Sequence, residues 1–166
     1  NRNKRLPYWV LERLVTFMEI MELFDESTMN LNLQGETKDQ IIEEMVTLLD
    51  EGGVLADKDD YKKAIYAREE QSSTGLGFDI AIPHAKTAAV KTARVAFGKS
   101  DKEFDYGAED GTKAHLIFMI AATDTDSNLH LQALATLSRN LIKADFRAKL
   151  LAANTAGEVM DVLKTL

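Results

Sequence analysis

Cysteine is absent from all 166 residues, which excludes a disulfide frame, a thiolate metal site and a cysteine nucleophile together. That absence is compatible with a cytoplasmic or an exported chain. A long hydrophobic run is missing as well. The longest near the N-terminus, Leu6 to Leu11, is interrupted by Pro7, far short of the twenty or so apolar residues that a membrane span needs. Excess positive charge is also lacking. Twenty Lys plus Arg stand against 27 Asp plus Glu, a formal net charge of −7, so no collective field draws in a nucleic acid. The opening Asn-Arg-Asn-Lys-Arg has the charge of a leader peptide, but Glu12, Arg13, Glu19 and Glu22 break the following apolar stretch and no small-residue cleavage site succeeds it. The expectation is a soluble cytoplasmic chain with no membrane insertion and no nucleic-acid partner. Because it starts with Asn, it is expected to be a fragment or a processed product.

What is present is 45% apolar residues in 18.5 kDa, enough for one continuous core and too much for a disordered tail. Leu11, Leu14, Val15 and Met18 follow i, i+3, i+4, i+7 spacing, which predicts a helix over about Leu6 to Phe24 with an apolar face in need of a partner. Residues 1–24 are treated as a helical lead-in and 25–166 as the working domain. Met29 to Leu33 alternates like a half-buried strand. Thr37 is a candidate N-cap for a helix carrying Ile41, Ile42, Met45, Leu48 and Leu49 up to Gly52-Gly53. Asp57 or Asp59 caps a second helix that ends near Arg68-Glu69-Glu70. Arg94 to Ser100 reads as a strand, Phe104 to Tyr106 as a short neighbour after a turn at Asp101-Lys102, and His115 to Ala122 as a central strand covered on both faces. Helices follow from Asn128, over Phe146 to Ala152, and over Val159 to Leu166. The implied fold is a single α/β domain, layered α/β/α, with a mixed β-sheet behind the lead-in.

The unusual stretch is Ser72 to Lys86, Ser-Ser-Thr-Gly-Leu-Gly-Phe-Asp-Ile-Ala-Ile-Pro-His-Ala-Lys. Gly75 and Gly77 predict a loop, and Ile80-Ala81-Ile82 a short strand. Pro83 keeps Ile82 extended and, lacking an N–H, ends the ladder. His84 then stands at a strand end, where one ring nitrogen can bond a carbonyl and the other can face a reactant; a turn with an exposed histidine is the competing reading. Read alone, Arg68 is a solvated charge at a helix end, while His130, two residues into a helix if Asn128 is its N-cap, either stands where free N–H groups favour an anion or packs under the sheet. His115 opens an apolar strand and reads as structural, hydrogen-bonded at the sheet end. Spacings of 31 and 15 between the three histidines match no metal-ligand pattern, and no Gly-Lys-Ser/Thr follows the glycines, so neither a metal site nor ATP is expected.

Ser73-Thr74-Gly75-Leu76-Gly77 followed by Ile80-Ala81-Ile82-Pro83-His84-Ala85-Lys86 resembles the active-site signature of the fructose/mannitol class of enzyme IIA domains of the phosphoenolpyruvate-dependent sugar phosphotransferase system. Arg68-Glu69-Glu70, His115 to Phe118, and Asn128-Leu129-His130-Leu131 with Leu134, Leu137 and Ser138 extend the likeness over roughly residues 25–166. Two positions depart from it. Asp79 stands where a small residue is usual, and Thr123 where a proline commonly follows the two alanines. The resemblance implies a phosphotransferase without metal or cofactor, in which His84 takes a phosphoryl group from the carrier HPr and hands it to the IIB domain of a sugar permease, with a IIC segment fused or adjacent. It implies that Arg68 and His130 stabilise the phosphoryl group, through a guanidinium fork and a position near a helix N-terminus. An exposed apolar rim of Phe78, Ile80 and Ala85 around His84 is expected for docking. Two rivals are carried: a regulatory IIA-like module, of nitrogen type or within a transcription regulator, and a metal-dependent hydrolase using the three histidines.

Overall fold

The computed structural model describes residues 4–166, so Asn1, Arg2 and Asn3 of the basic opening lie outside the described residues. Its strands are β1 (Met29–Asn30), β2 (Gly75–Gly77), β3 (Ile80–Ala81), β4 (His84–Lys86), β5 (Arg94–Phe104) and β6 (Ala114–Ala122). Its helices are α1 (Tyr8–Glu22), α2 (Lys38–Glu51), α3 (Lys58–Gln71), α4 (Leu129–Leu141), α5 (Ala144–Ala152) and α6 (Ala156–Leu163). The strand order is β1-β5-β6-β3-β2, with β4 also paired to β6. β6 runs antiparallel to β5 and parallel to β3 and β4, so the sheet is mixed, as expected.

Both faces are covered. On one, Ile41, Ile42, Met45 and Leu49 of α2 and Tyr61 and Ile65 of α3 pack against Ala96, Ile117, Met119 and Ala121. On the other, Leu137 and Leu141 of α4, Leu150 of α5 and Val159 and Leu163 of α6 pack against Val95, Phe97, Leu116 and Phe118. This is the layered α/β/α fold, and β6, covered on both sides, is apolar nearly throughout because neither face meets water. Local chemistry sets the helix starts. Thr37 and Gln40 form a reciprocal capping box on α2. Of the two aspartates considered for α3, Asp57 is the cap, its side chain accepting the Asp60 N–H at 3.0 Å.

Several boundaries differ from the sequence reading. The first strand covers Met29–Asn30 alone, although Leu33 N–H still reaches the Lys99 carbonyl at 2.9 Å. The turn expected at Asp101-Lys102 does not exist: β5 continues from Arg94 to Phe104, and the register slips between Lys99 and Phe104. Such an irregularity lets a long strand bend without breaking. Gly75-Leu76-Gly77 is a strand paired with β3 rather than a loop. The tight turn sits one step later, where Phe78 and Asp79 both take left-handed backbone angles, φ 54° and 69°. Two left-handed residues in sequence suit a hairpin's twist, although a phenylalanine there is strained.

The apolar stripe of α1 is exposed, with Met18 61% accessible, whereas Ile20, Leu23 and Phe24 are buried in the core beneath α4. Among the described residues no helix is long and apolar enough to cross a membrane. Leu137 is fully buried where α4 meets the sheet, and truncating it leaves a cavity that α4 cannot collapse into without tilting. Leu137→Ala is therefore expected to lower unfolding free energy by about 2–5 kcal/mol in urea titrations; a loss well below 1 kcal/mol would show that this helix is not anchored as described.

Candidate active site

Pro83 decides where His84 stands. β3 ends at Ala81, Pro83 offers its carbonyl to the Ile120 N–H at 2.9 Å, and β4 then begins at His84, paired with Ile120. The ladder does not end at the proline, as expected from sequence; it skips two residues and resumes, because Pro83 lacks a donor but keeps its acceptor. His84 is half-buried, and its Nδ1 lies 2.9 Å from the Ile82 carbonyl. A carbonyl only accepts, so the proton sits on Nδ1 and the lone pair on Nε2. Burial holds the imidazole pKa below its ordinary 6.5, opposed by the Ile82 hydrogen bond and then by the Glu69 charge, and reinforced by Arg68 and by His130.

Arg68, Glu69 and His130 thus all lie within electrostatic reach of His84, although 46 residues separate the two histidines. Arg68 lies in the last turn of α3, where its Nη1 donates to the Ser72 carbonyl at 2.9 Å. That bond caps the helix and uses one nitrogen of the fork. His130 lies in the first turn of α4. Asn128 holds the N-cap position that the sequence suggested, but its side chain makes no cap bond. Asp126 does that work: its carboxylate accepts the Leu129 and His130 N–H groups at 3.3 and 3.0 Å and also contacts His130 Nδ1. An oxygen acceptor at Nδ1 leaves His130 Nε2 as the nitrogen available to a ligand. His115 stands apart at the other end of β6. Five residues separate it from Ile120, about 16 Å along a strand.

The matches to known proteins bear on this arrangement. Residues 22–165 match the family described as "Phosphoenolpyruvate-dependent sugar phosphotransferase system, EIIA 2". The chain belongs to this family. Among the relatives of this EIIA domain, the PTS system fructose-specific EIIABC component of Bacillus subtilis is 48% identical over 146 residues, which cover 88% of this chain and 23% of that protein. The chain therefore spans less than a quarter of that relative's length. The PTS system fructose-specific EIIA component of Haloferax volcanii is 42% identical over 127 residues, 76% of this chain and 82% of its own. Among solved structures, nitrogen regulatory protein IIA-Ntr from Neisseria meningitidis superimposes with a TM-score of 0.80 at 31% identity, covering 87% of this chain and 98% of that one.

Within the EIIA domain the expected apolar rim is corrected. Phe78 is 47% exposed, but Ile80 and Ala85 are buried, 1% and 8%, because β3 and β4 both pair with β6 and their side chains belong to the two helical layers. Phe78 caps the far end of β3, with the Arg147 guanidinium 5.3 Å from its ring centre. Asp79, the departure from the family pattern, faces His115 at 3.9 Å rather than His84. Two carboxylates near the histidines were given no role in the sequence reading: Glu69, noted there as part of a helix end and of the family likeness, and Asp126. The one usable signal was position, since Asp126 precedes α4 by three residues, where a capping carboxylate is common.

Because the charged form of His84 is the one penalised, the unfolded chain binds the proton more readily than the folded one. Stability is then expected to rise with pH through the window that runs down from 6.5 to the folded value. Proton NMR of the ring should show His84 titrating below 6.5, and Arg68→Ala should move that midpoint upward by removing a nearby positive charge. A midpoint at or above 6.5 in the folded protein, or a downward move in the variant, would contradict the burial and the placement of Arg68.

Proposed function

We propose that this chain is a phosphocarrier: His84 accepts a phosphoryl group from phospho-HPr and transfers it to the IIB domain of a sugar permease, in phosphoenolpyruvate-driven uptake of a fructose-class sugar. The observation that carries this reading is a half-buried imidazole whose Nδ1 is committed to the Ile82 carbonyl, with the charge of Arg68 and the imidazole of His130 within electrostatic reach of it. The Nε2 lone pair attacks phosphorus while the donor's P–N bond breaks and its electron pair returns to the donor imidazole. The Nδ1–H then shares the ring's new positive charge with the Ile82 carbonyl. Phosphoryl transfer needs mainly alignment and stabilisation of spread oxygen charge, and the Arg68 guanidinium and the His130 imidazole are the groups that supply both. A phosphohistidine keeps the high transfer potential that a serine or threonine ester would forfeit.

The fructose-specific names of relatives at 48% and 42% identity support the transport assignment. The EIIABC relative supports a IIB partner and a IIC segment in the same or an adjacent chain, and with it a location on the cytoplasmic side. The regulatory reading rests on the likeness to the nitrogen regulatory protein at 31% identity, and the stronger fructose matches favour transport. The metal-dependent hydrolase reading loses its donor set, because His115 sits at the opposite end of β6 from His84.

Incubated with phosphoenolpyruvate, enzyme I and HPr, the protein should be labelled on His84 alone, with an acid-labile, base-stable bond. His84→Ala should abolish the label. Arg68→Ala and His130→Ala should remain folded and transfer about 100-fold more slowly, the scale of one lost electrostatic stabiliser. Unchanged labelling of the His84 variant, or wild-type rates in the other two, would refute the respective assignments. The same reading divides the chain into a lead-in over residues 1–24 and a phosphotransfer domain over 25–166, supported by a family match that begins at residue 22 and by the exposure of Leu11, Leu14, Val15 and Met18. Because Ile20 is buried, the informative truncation removes residues 1–18. It should leave His84 labelling at the wild-type rate; a folded but unlabelled product would make α1 part of the docking surface.

A further inference from the structure

The carboxylate of Glu69 has 4% of its side-chain surface exposed, and a charge so placed is costly unless several donors meet it. Four do, from three separate parts of the chain. Lys38 Nζ reaches it from the start of α2 at 2.7 Å, the Tyr106 hydroxyl from the β5–β6 connection at 3.2 Å, and Thr74 donates both its N–H, at 3.2 Å, and its hydroxyl. The contacts do not stop there. The Thr74 carbonyl accepts the Ile82 N–H at 3.0 Å, and the Ile82 carbonyl accepts the His84 Nδ1–H at 2.9 Å. A line of hydrogen bonds therefore joins the buried carboxylate to the imidazole through two residues of the Ser72–Lys86 stretch. We infer that Glu69 is a positioning residue for phosphoryl transfer, holding Thr74, and through it the Ile82 carbonyl, so that Nε2 of His84 is aimed at the incoming phosphorus.

This inference rests on the reading of His84 as the phosphoryl acceptor. Two features separate it from a plain structural anchor. The first is direction: Glu69 is adjacent in sequence to Arg68, in the last turn of α3, so one helix end fixes both the imidazole's support and the guanidinium beside it. The second is charge. Glu69 favours the protonated imidazole, while burial, Arg68 from the same helix and His130 from α4 disfavour it. Removing the Glu69 charge should thus be felt at the His84 ring as well as in the melting temperature.

The experiment uses the full chain with Glu69→Gln, which keeps the shape and loses the charge. Ring 15N NMR should show His84 in the wild type held as the Nδ1–H tautomer. In the variant it should show both tautomers, with the titration midpoint moved to lower pH. Single-turnover transfer from phospho-HPr should slow by about 10- to 100-fold, the scale of a small misplacement of reacting groups, with the dependence on phospho-HPr concentration unchanged. A folded Glu69→Gln protein with the wild-type His84 spectrum and rate overturns the proposal. If Glu69→Gln does not fold, Thr74→Val and Thr74→Ser decide it: slow transfer in the first with recovery in the second supports the line of contacts, and wild-type transfer in the first refutes it. Should the wild-type protein accept nothing from HPr, the phosphocarrier reading fails, while the His84 ring spectrum of the variants still tests the connection to Glu69.

Discussion

A strand buried on both faces must satisfy every backbone donor and acceptor within the sheet, because no water reaches it, and in this protein that strand is β6. One edge is taken by β5 over most of its length. The other is shared by β3 and β4, which pair with Leu116 and Ile117 and with Ile120 to Ala122. Ile82 and Pro83 occupy the gap between them, and its bonds are nonetheless made, Pro83 supplying an acceptor to Ile120 and Ile82 a donor to Thr74. Ile82 faces Thr74 and not β6, and because the Thr74 N–H goes to Glu69, the Ile82 carbonyl is left to meet the His84 ring.

The carboxyl end of β6 gathers the rest. Tyr61 of α3 donates its buried hydroxyl to the Ile120 carbonyl, which ties the helix that carries Arg68 and Glu69 to the residue paired with His84. The turn after Ala122 leads within seven residues to Asp126 and the first turn of α4, bringing His130 to the same end. Two carboxylates lie near a site read as handling phosphate, and each is engaged by donors: Glu69 by Lys38, Thr74 and Tyr106, Asp126 by the α4 N-terminus and His130. A carboxylate so engaged serves as scaffolding for the groups around it and repels an arriving anion far less than a bare one. The net charge of −7 is thus compatible with a local environment suited to a phosphoryl group.

Much of the architecture was legible because it follows from periodicities a few residues long. The apolar His115 to Ala122 run, the Thr37 cap with its helix, and the alternation of strands with helices each report on local geometry. Errors fell where pairing across the sheet overrode local signals. Gly75-Leu76-Gly77 looks like a loop, yet β3 offers it a partner; Asp101-Lys102 looks like a turn, yet β5 is long enough to carry them as an irregular strand. The apolar rim failed for the same reason. Whether Ile80 and Ala85 face water depends on which helices cover the sheet, and that is not written near them.

The residues of the Ser72–Lys86 stretch, with Arg68 upstream and His130 downstream, carry a likeness to a phosphotransferase family, and it was that likeness that suggested the chemistry: an imidazole after a proline, a guanidinium and a helix start. Their meeting did not follow from their order in the chain. Burial by α2 and α3 on one side and α4 on the other excludes water from the sheet's interior, forces its polar groups to find one another, and so brings Tyr106 onto the Glu69 carboxylate that Thr74 also meets, whereas Asp126 and His130 meet locally, four residues apart at the start of α4. The Glu69–Tyr106 contact spans 37 residues of chain, a separation over which only packing, and no local spacing, decides what touches what.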